Sequence, residues 1–536
     1  MKKLKLVCVA IAMAGAAPTF AGGLLTNTNQ HVAFNRMMSR EASIGIDGVY
    51  YNPAGVVFMG EGHHLAINWQ LAYQTRTINN DYKLFTNNVN NPITPRDFKG
   101  KAFAPVIPSF QYAYNKGKWS FQANFSLTGG GGKCTFDDGL GSFEKIVSET
   151  AIAACGLAGV VDQTLGNALG QPGMEMFTSD QAFGKTGKYS FNSYMHGRQY
   201  YYGLSAGAAY KFCDNFSAFL GVRGVYALTN YYGYVENINV GNMPLYKVLD
   251  PTKENAANIE LSCDQTGVGF TPIIGVDYKT GRWNFSAKYE FKTRIRLKNK
   301  SVNQTPSIGN LPANLANQMT GILTARYQQA GLPLEQAKQQ AENTTNAVLN
   351  GPTVGATMMG LKTQFDQKLN KAIGEYEDGK KIAGDIPGYL ALGIGYSPVD
   401  AVRVNVGFHW FDDKNATSYN NRNKELKRGT LEYNAGVEVD VNKKITLSTG
   451  WQNTNYGLSD EYMDDKSFVV GSNSAAIGGV YHINKKMDLN VAYFHTFYQH
   501  KKTSETVQLA ADKSIVYNSD YTRNNNVFAV GLDINF

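Results

Sequence analysis

Cations set into apolar alternation are the residues of this chain with the clearest chemistry to offer. In the stretch 281–297, Lys288, Glu290, Lys292, Arg294 and Arg296 share one face with Asn284 and Ser286, while Trp283, Phe285, Ala287, Tyr289, Phe291, Ile295 and Leu297 take the other. Arg223 is interleaved with Val222 and Gly224. A carboxylate entering a poorly hydrated interior must meet a cation or take up a proton, and arginine offers it a fixed two-pronged partner. Arg223 and Lys288 are therefore the candidates for holding an acidic headgroup, unless Glu290 and Glu438 already pair with such bases to pack the interior. A second set is apolar and lies in the stretch 130–198: Phe136, Phe143, Ile146, Leu157 and Phe177. These side chains need a partner, either their own neighbours or a hydrophobic ligand in a groove.

Covalent chemistry has no comparable support. Of eight histidines, His64, His409, His482 and His495 fall on strand-like stretches, and no Gly-x-Ser-x-Gly or metal-spaced pair accompanies them. His63 and His64 are adjacent, so on a strand they point to opposite faces and cannot chelate together. No enzyme, metal or cofactor is expected.

The elements that position these residues are long strands. Alternation over about fifteen residues in 281–297 far exceeds the usual strand and fits a tilted membrane strand, apolar outside and polar inside. The pattern recurs in Leu65, Ile67, Trp69, Leu71 and Tyr73, in Trp119, Phe121, Ala123, Phe125 and Leu127, and in Val402, Val404, Val406, Phe408 and Trp410. It closes the chain with Phe528, Val530, Leu532, Ile534 and the terminal Phe536, a pattern like the signal read by barrel assembly machinery. Fourteen segments are predicted, joined alternately by six tight turns and seven longer loops, as in a bacterial barrel with short turns on the periplasmic side. Loop 298–384 has helical spacing, with Leu315, Met319, Ile322 and Leu323 on one face and Met358, Leu361, Phe365, Leu369 and Ile373 on another.

Lys2, Lys3 and Lys5, the apolar run Leu6–Ala17 and Thr19-Phe20-Ala21 read as a signal peptide, 1–21, cleaved before Gly22. No later stretch has the roughly 18 uncharged apolar residues of a spanning helix, and the mean hydropathy is −0.31. With 32 Tyr, 28 Phe and 55 Gly, the composition is one of strands and turns. The formal charge of +8 forms no cluster that points to nucleic acid. Cys134, Cys155, Cys213 and Cys263 would remain in an oxidising compartment, where disulfides can form but the pairing cannot be deduced from the sequence, and the strand order leaves Cys213 free in a periplasmic turn. Before the first strand, residues 22–60 read as a hatch inside the barrel: Asn52-Pro53 is a turn signal, Pro53 removes a donor, and Gly45, Gly48 and Gly55 relax the backbone.

These features resemble the FadL-type long-chain fatty acid and hydrophobic-compound transporters of Gram-negative outer membranes. The resemblance rests on Asn52-Pro53-Ala54, followed by Gly55, directly before strand one, on Glu41-Ala42-Ser43-Ile44 ahead of them, and on the fourteen strands and a helical external loop. It covers essentially the whole chain after the signal peptide, and departs from the better-known members in the 298–384 insertion. It implies a monomeric all-β transmembrane barrel, 61–536, with large external loops 130–198 and 298–384. It also implies passive uptake of a hydrophobic molecule through an external groove, a lumen site and a lateral exit into the surrounding outer membrane lipid. The competing readings are a general porin for hydrophilic or anionic solutes and a surface receptor or adhesin.

Overall fold

Residues that alternate in character with a period of two make strands, and the alternation decides which side meets lipid. The computed structural model describes residues 25–26, 29–510 and 513–536, so the expected signal peptide lies outside the described residues. Among them, fourteen long strands run antiparallel around one wall. They are strand one Gly62–Tyr82, two Arg96–Lys116, three Trp119–Phe136, four Tyr189–Cys213, five Phe216–Val240, six Ile259–Thr280 and seven Trp283–Glu290. The series continues with eight Tyr389–Val399, nine Val402–Phe411, ten Arg428–Asn442, eleven Ile445–Gly457, twelve Ser472–Asn484, thirteen Met487–Tyr498 and fourteen Lys513–Asn535.

Strand one pairs with strand two and, from His64↔Asn535 to Tyr82↔Tyr517, with strand fourteen, which closes the barrel. Closure satisfies the backbone without a free edge, the condition for crossing lipid. The fourteen-stranded antiparallel barrel read from the sequence is the architecture found. Trp119 and Trp283 stand exposed after tight turns and pack on Tyr210 and Tyr396, at centroid distances of 4.7 and 4.3 Å, as an interfacial aromatic girdle does.

One face assignment differs from the sequence reading. Along strand seven Asn284, Lys288 and Glu290 point inward as expected, but Thr293, Ile295 and Leu297 are also fully buried. The ladder breaks after Glu290 and resumes as an extension, Arg296–Gln304, that pairs with strand six and with the short segment Lys381–Ala383. One extra residue in a strand reverses every side chain beyond it. Arg294 and Arg296 therefore face outward rather than into the lumen, and Lys292 is half-buried with its ammonium on the Asn415 carbonyl.

Inside the barrel, residues 29–60 fold into short helical turns, Val32–Met37, Gly48–Tyr51 and Gly55–Phe58. The first of these is wholly buried. It lies so close to the wall that a Cβ on Gly450 would stand 1.6 Å from the Met37 carbonyl oxygen, so only glycine fits there.

At the opposite end from the tight turns the loops build a helical cap. Helix Gly141–Ala168 is long and apolar enough to cross a membrane by composition, yet it packs with helices Leu334–Leu349 and Pro352–Ile373 and with strands four and five. Helix Leu311–Gln329 has Pro312 in its first turn and is followed by Gly331 at a φ of 95°. Its Leu315, Met319 and Leu323 are buried, but Ile322, expected on the same face, is exposed. Met358 and Phe365 are buried, and the side chains of Leu369 and Ile373 lie outside the described residues. The described cysteines form no disulfide: Cys134, Cys155 and Cys263 are buried free thiols, and Cys213, expected to be free, is an exposed one.

Candidate functional site: a plugged lumen with a side opening

The segment Asn52–Gly55 ties the hatch to three wall strands. Asn52 donates to Asp277 on strand six at 2.6 Å, and its own side-chain oxygen accepts from the Gly55 amide at 3.2 Å. The Pro53 carbonyl accepts from Gln122 on strand three at 2.7 Å, and the Ala54 carbonyl from Ser217 on strand five at 2.7 Å. A Cβ on Gly55 would collide with the Asn52 amide at 2.4 Å, which explains the glycine after the turn. Further along, Arg36 pairs with Glu438, and Arg40 with Asp47 at 2.7 Å. His409 bridges Glu41 of the hatch (2.7 Å) and Glu432 of the wall (2.9 Å).

Arg223 and Lys288, the headgroup candidates, do come together, but on Glu290. Arg223 holds it with two prongs at 2.5 and 3.0 Å, and Lys288 at 2.9 Å. Lys288 also donates to the Tyr50 carbonyl of the hatch at 2.7 Å. The pairing with Glu290 that the sequence left open as an alternative is the arrangement found, and it packs the plug against the wall.

A different region has room for a ligand. A lumen cavity of about 450 Å³ lies above the hatch between strands one to four and fourteen, lined by Ala72, Ala104, Ile107, Leu127, Phe136 and Val527 among others. Its size is in the usual range for a small-molecule site. Three cations reach it: Arg76, Arg523 and Lys466. Arg76 donates to Gln74 at 3.2 Å, and Arg523 to the same oxygen at 2.7 Å. Neither arginine has a carboxylate at ion-pair distance among the described residues.

Beside the cavity the wall ladder is interrupted. Between Ala102 and Phe110 strand two makes no pairing with strand three, so Phe103–Ser109 face an unzipped stretch, Ser126–Lys133. On one lip are Pro105 and Pro108, which have no amide hydrogen to offer; on the other, Gly130 and Gly132 take φ of 97° and 73°. Phe103 and Val106, exposed to the lipid side, also line the cavity. Gln30 of the hatch forms the sill: it donates to the Leu127 carbonyl at 2.7 Å and accepts from Ser109 at 2.7 Å and Gln111 at 2.9 Å, bridging strands two and three.

No protein-family model and no curated protein sequence matches the chain. Solved structures do. A FadL homologue of Pseudomonas aeruginosa aligns over 96% of this chain and 100% of its own, with a TM-score of 0.57 at 13% identity. A deletion mutant of the monoaromatic hydrocarbon channel TodX aligns over 94% of this chain and 98% of its own, with a TM-score of 0.51 at 12% identity. The chain has the fold of the FadL-type barrels. At these identities the likeness is one of fold.

On this FadL-type barrel the apolar candidates of 130–198 separate. Leu157 and Phe177 line a small cavity of about 80 Å³ under the cap, with Phe183, Leu249, Leu315 and Phe365. Phe136 lines the lumen cavity, while Phe143 and Ile146 are buried and line neither. The chain returns from the cap through 374–380, where Tyr376 packs on Tyr231, a lining residue of the lumen cavity, at 6.0 Å. Glu375 is buried there with neither carboxylate oxygen hydrogen-bonded, and burial pushes its carboxyl up to about 8. Sequence reading missed Arg76, Arg523, Gln30 and the interrupted ladder. The signal available was a strand with two prolines set beside the run Gly129–Gly132.

Proposed function

We propose that the protein carries an amphipathic hydrophobic acid of the long-chain fatty-acid class passively across a Gram-negative outer membrane. The ligand is caught at the apolar cavity under the cap, passes to the lumen cavity and leaves into the bilayer between strands two and three. The observation that carries this reading is the lumen cavity itself, which joins apolar side chains beside the unpaired stretch of strands two and three to a polar side holding two arginines that lack a carboxylate. An apolar chain kept out of water gains about 25 cal/mol per Å² of its surface, so an exit into lipid keeps what an aqueous exit would forfeit. The TodX neighbour is named a monoaromatic hydrocarbon channel, which agrees with a hydrophobic cargo, and the arginine pair favours an acid over a neutral solute.

Closing the side opening tests it. A Cβ on Gly132 would lie 3.6 Å from that of Ala104 across the gap, within the span of a disulfide. Ala104→Cys with Gly132→Cys, in a Cys134→Ser background, is expected to lose fatty-acid uptake when oxidised and to regain it on reduction. Equal uptake in the oxidised and reduced protein, with the bond verified by mass, refutes lateral exit.

A further inference from the structure

The face reversal in strand seven leaves a row of cations on the outside of the wall. Arg294, Arg296, Lys298 and Lys300 point outward at alternate positions and are exposed, while Ile295, Leu297 and Asn299 between them are buried. Lys381, in register with Lys298, adds a fifth. Arg296 is paired with Asp385 at 2.8 Å; the other four meet no carboxylate at ion-pair distance among the described residues. Asp264, in register with Lys300 on strand six, instead accepts a hydrogen bond from Asn230 at 2.8 Å.

The row begins where the lipid-facing band ends. Below it the outer face is apolar, with Trp283 and Phe285 on strand seven, Phe291 just past its end and Ile274, Val276 and Tyr278 on strand six, while Val268 and Phe270, 64% and 70% exposed, flank the first cations of the row from strand six. At ~3.3 Å per residue and a tilt of about 40°, Arg294 stands roughly 28 Å above Trp283, just beyond an apolar band about 25 Å tall. Like charges in one row repel each other unless an anion sits among them.

We propose that this row docks the phosphate groups of the glycolipid in the outer leaflet. A lipid whose acyl chains lie on Ile274, Phe285 and Phe291 places its headgroup against Arg294, Lys298, Lys300 and Lys381. Guanidinium and ammonium groups are the natural partners of phosphate. The row faces sideways and continues the lipid-contacting surface, which selects a membrane component over a soluble anion. The inference rests on the barrel standing in the outer membrane with its long loops outward.

The full chain in neutral detergent is titrated with lipopolysaccharide and with the same glycolipid stripped of its phosphates, and bound glycolipid is counted by native mass spectrometry. The phosphorylated form is expected to bind about tenfold or more tightly, in keeping with the attraction of clustered basic residues to anionic lipid. Arg294→Ser, Lys298→Ser, Lys300→Ser and Lys381→Ser combined should abolish that preference. Lys443→Ser, Lys444→Ser, Lys485→Ser and Lys486→Ser, an equal loss of charge in exposed turns at the other end of the barrel, should leave it intact. Equal binding of the two glycolipids by the parent overturns the proposal whether or not any variant folds, as does a preference that survives in the first variant. Loss of preference only in the second variant overturns it too, and would place the barrel the other way up, bringing down the proposed membrane orientation with it.

Discussion

Arg76 on strand one and Arg523 on strand fourteen stand directly opposite each other across the seam that closes the barrel, and both donate to the side-chain oxygen of Gln74. Facing like charges destabilise a sheet, so a pair kept at a cavity wall without a carboxylate is suited to receiving an anion. Arg76→Gln with Arg523→Gln is expected to weaken binding of a long-chain carboxylate by about tenfold or more, the range of a hydrogen bond to a charged group. Binding of the corresponding alcohol should change little, and the melting temperature should hold or rise. Isothermal titration with acid and alcohol checks this; equal losses for both would exclude a headgroup role.

Glu290 answers two buried cations at once, Arg223 and Lys288. Glu290→Gln strands both, and such a break in a buried ion pair costs about 3–5 kcal/mol. A marked fall in the unfolding temperature of the purified barrel is expected, together with unchanged selectivity between acid and alcohol. A selective loss of acid binding would return Arg223 and Lys288 to the ligand site.

Gly450 tests the plug. A valine there would place its Cβ on the Met37 carbonyl, so the Val32–Met37 turn must leave its seat. The barrel wall keeps its own hydrogen bonds and should still fold. Single-channel recordings of Gly450→Val, and of a chain lacking 22–58, are expected to show larger conductance than the parent. Recordings as silent as the parent's would mean that the hatch does not limit flow.

Glu375 gives the cap a pH dependence. Burial is the dominant influence on it and Asp464 adds repulsion, against the attraction of Lys466, Arg422 and Lys380, so its carboxyl is pushed up to about 8 from an ordinary value of 4.5. A folded pKa above the unfolded one means that the folded chain holds a proton the unfolded chain releases. Stability from this group is therefore full below about pH 4 and is lost as pH rises toward 8. Hydrogen exchange in 374–380, corrected for its intrinsic pH dependence, should quicken between about pH 5 and 8, and Glu375→Gln should flatten the change. Exchange that ignores pH in the parent would contradict the burial of an unpaired carboxyl.

The wall was legible because a closed barrel imposes one rule on every strand, lipid on one side and lumen on the other, and Trp283, Phe285 and Lys288 obey it residue by residue. The rule fails where a strand leaves the bilayer: Ile295 and Leu297 continue the parity of the exterior but turn inward after the break at Glu290, and nothing local to Arg294 announces it. The lumen pairs were half legible. Alternation places Arg223, Lys288 and Glu290 on the inner face, but their pairing depends on the neighbouring strands' register and on Tyr50 of the hatch, contacts distant in sequence. Arg76 and Arg523 escaped notice for the same reason, being brought together only by the joining of the first and last strands.

The prolines of strand two bear on kinetics as well as shape. Pro105 and Pro108 supply no amide hydrogens, so the stretch between strands two and three cannot zip into a continuous ladder, with or without cargo. If the proposed lateral exit lies here, it is a fixed gap in the ladder and not a flap that forms and breaks strand pairing with each passage. On that proposal turnover would be governed by how quickly the solute desorbs from the lumen, and flux is expected to follow the chemical potential of the solute in either direction.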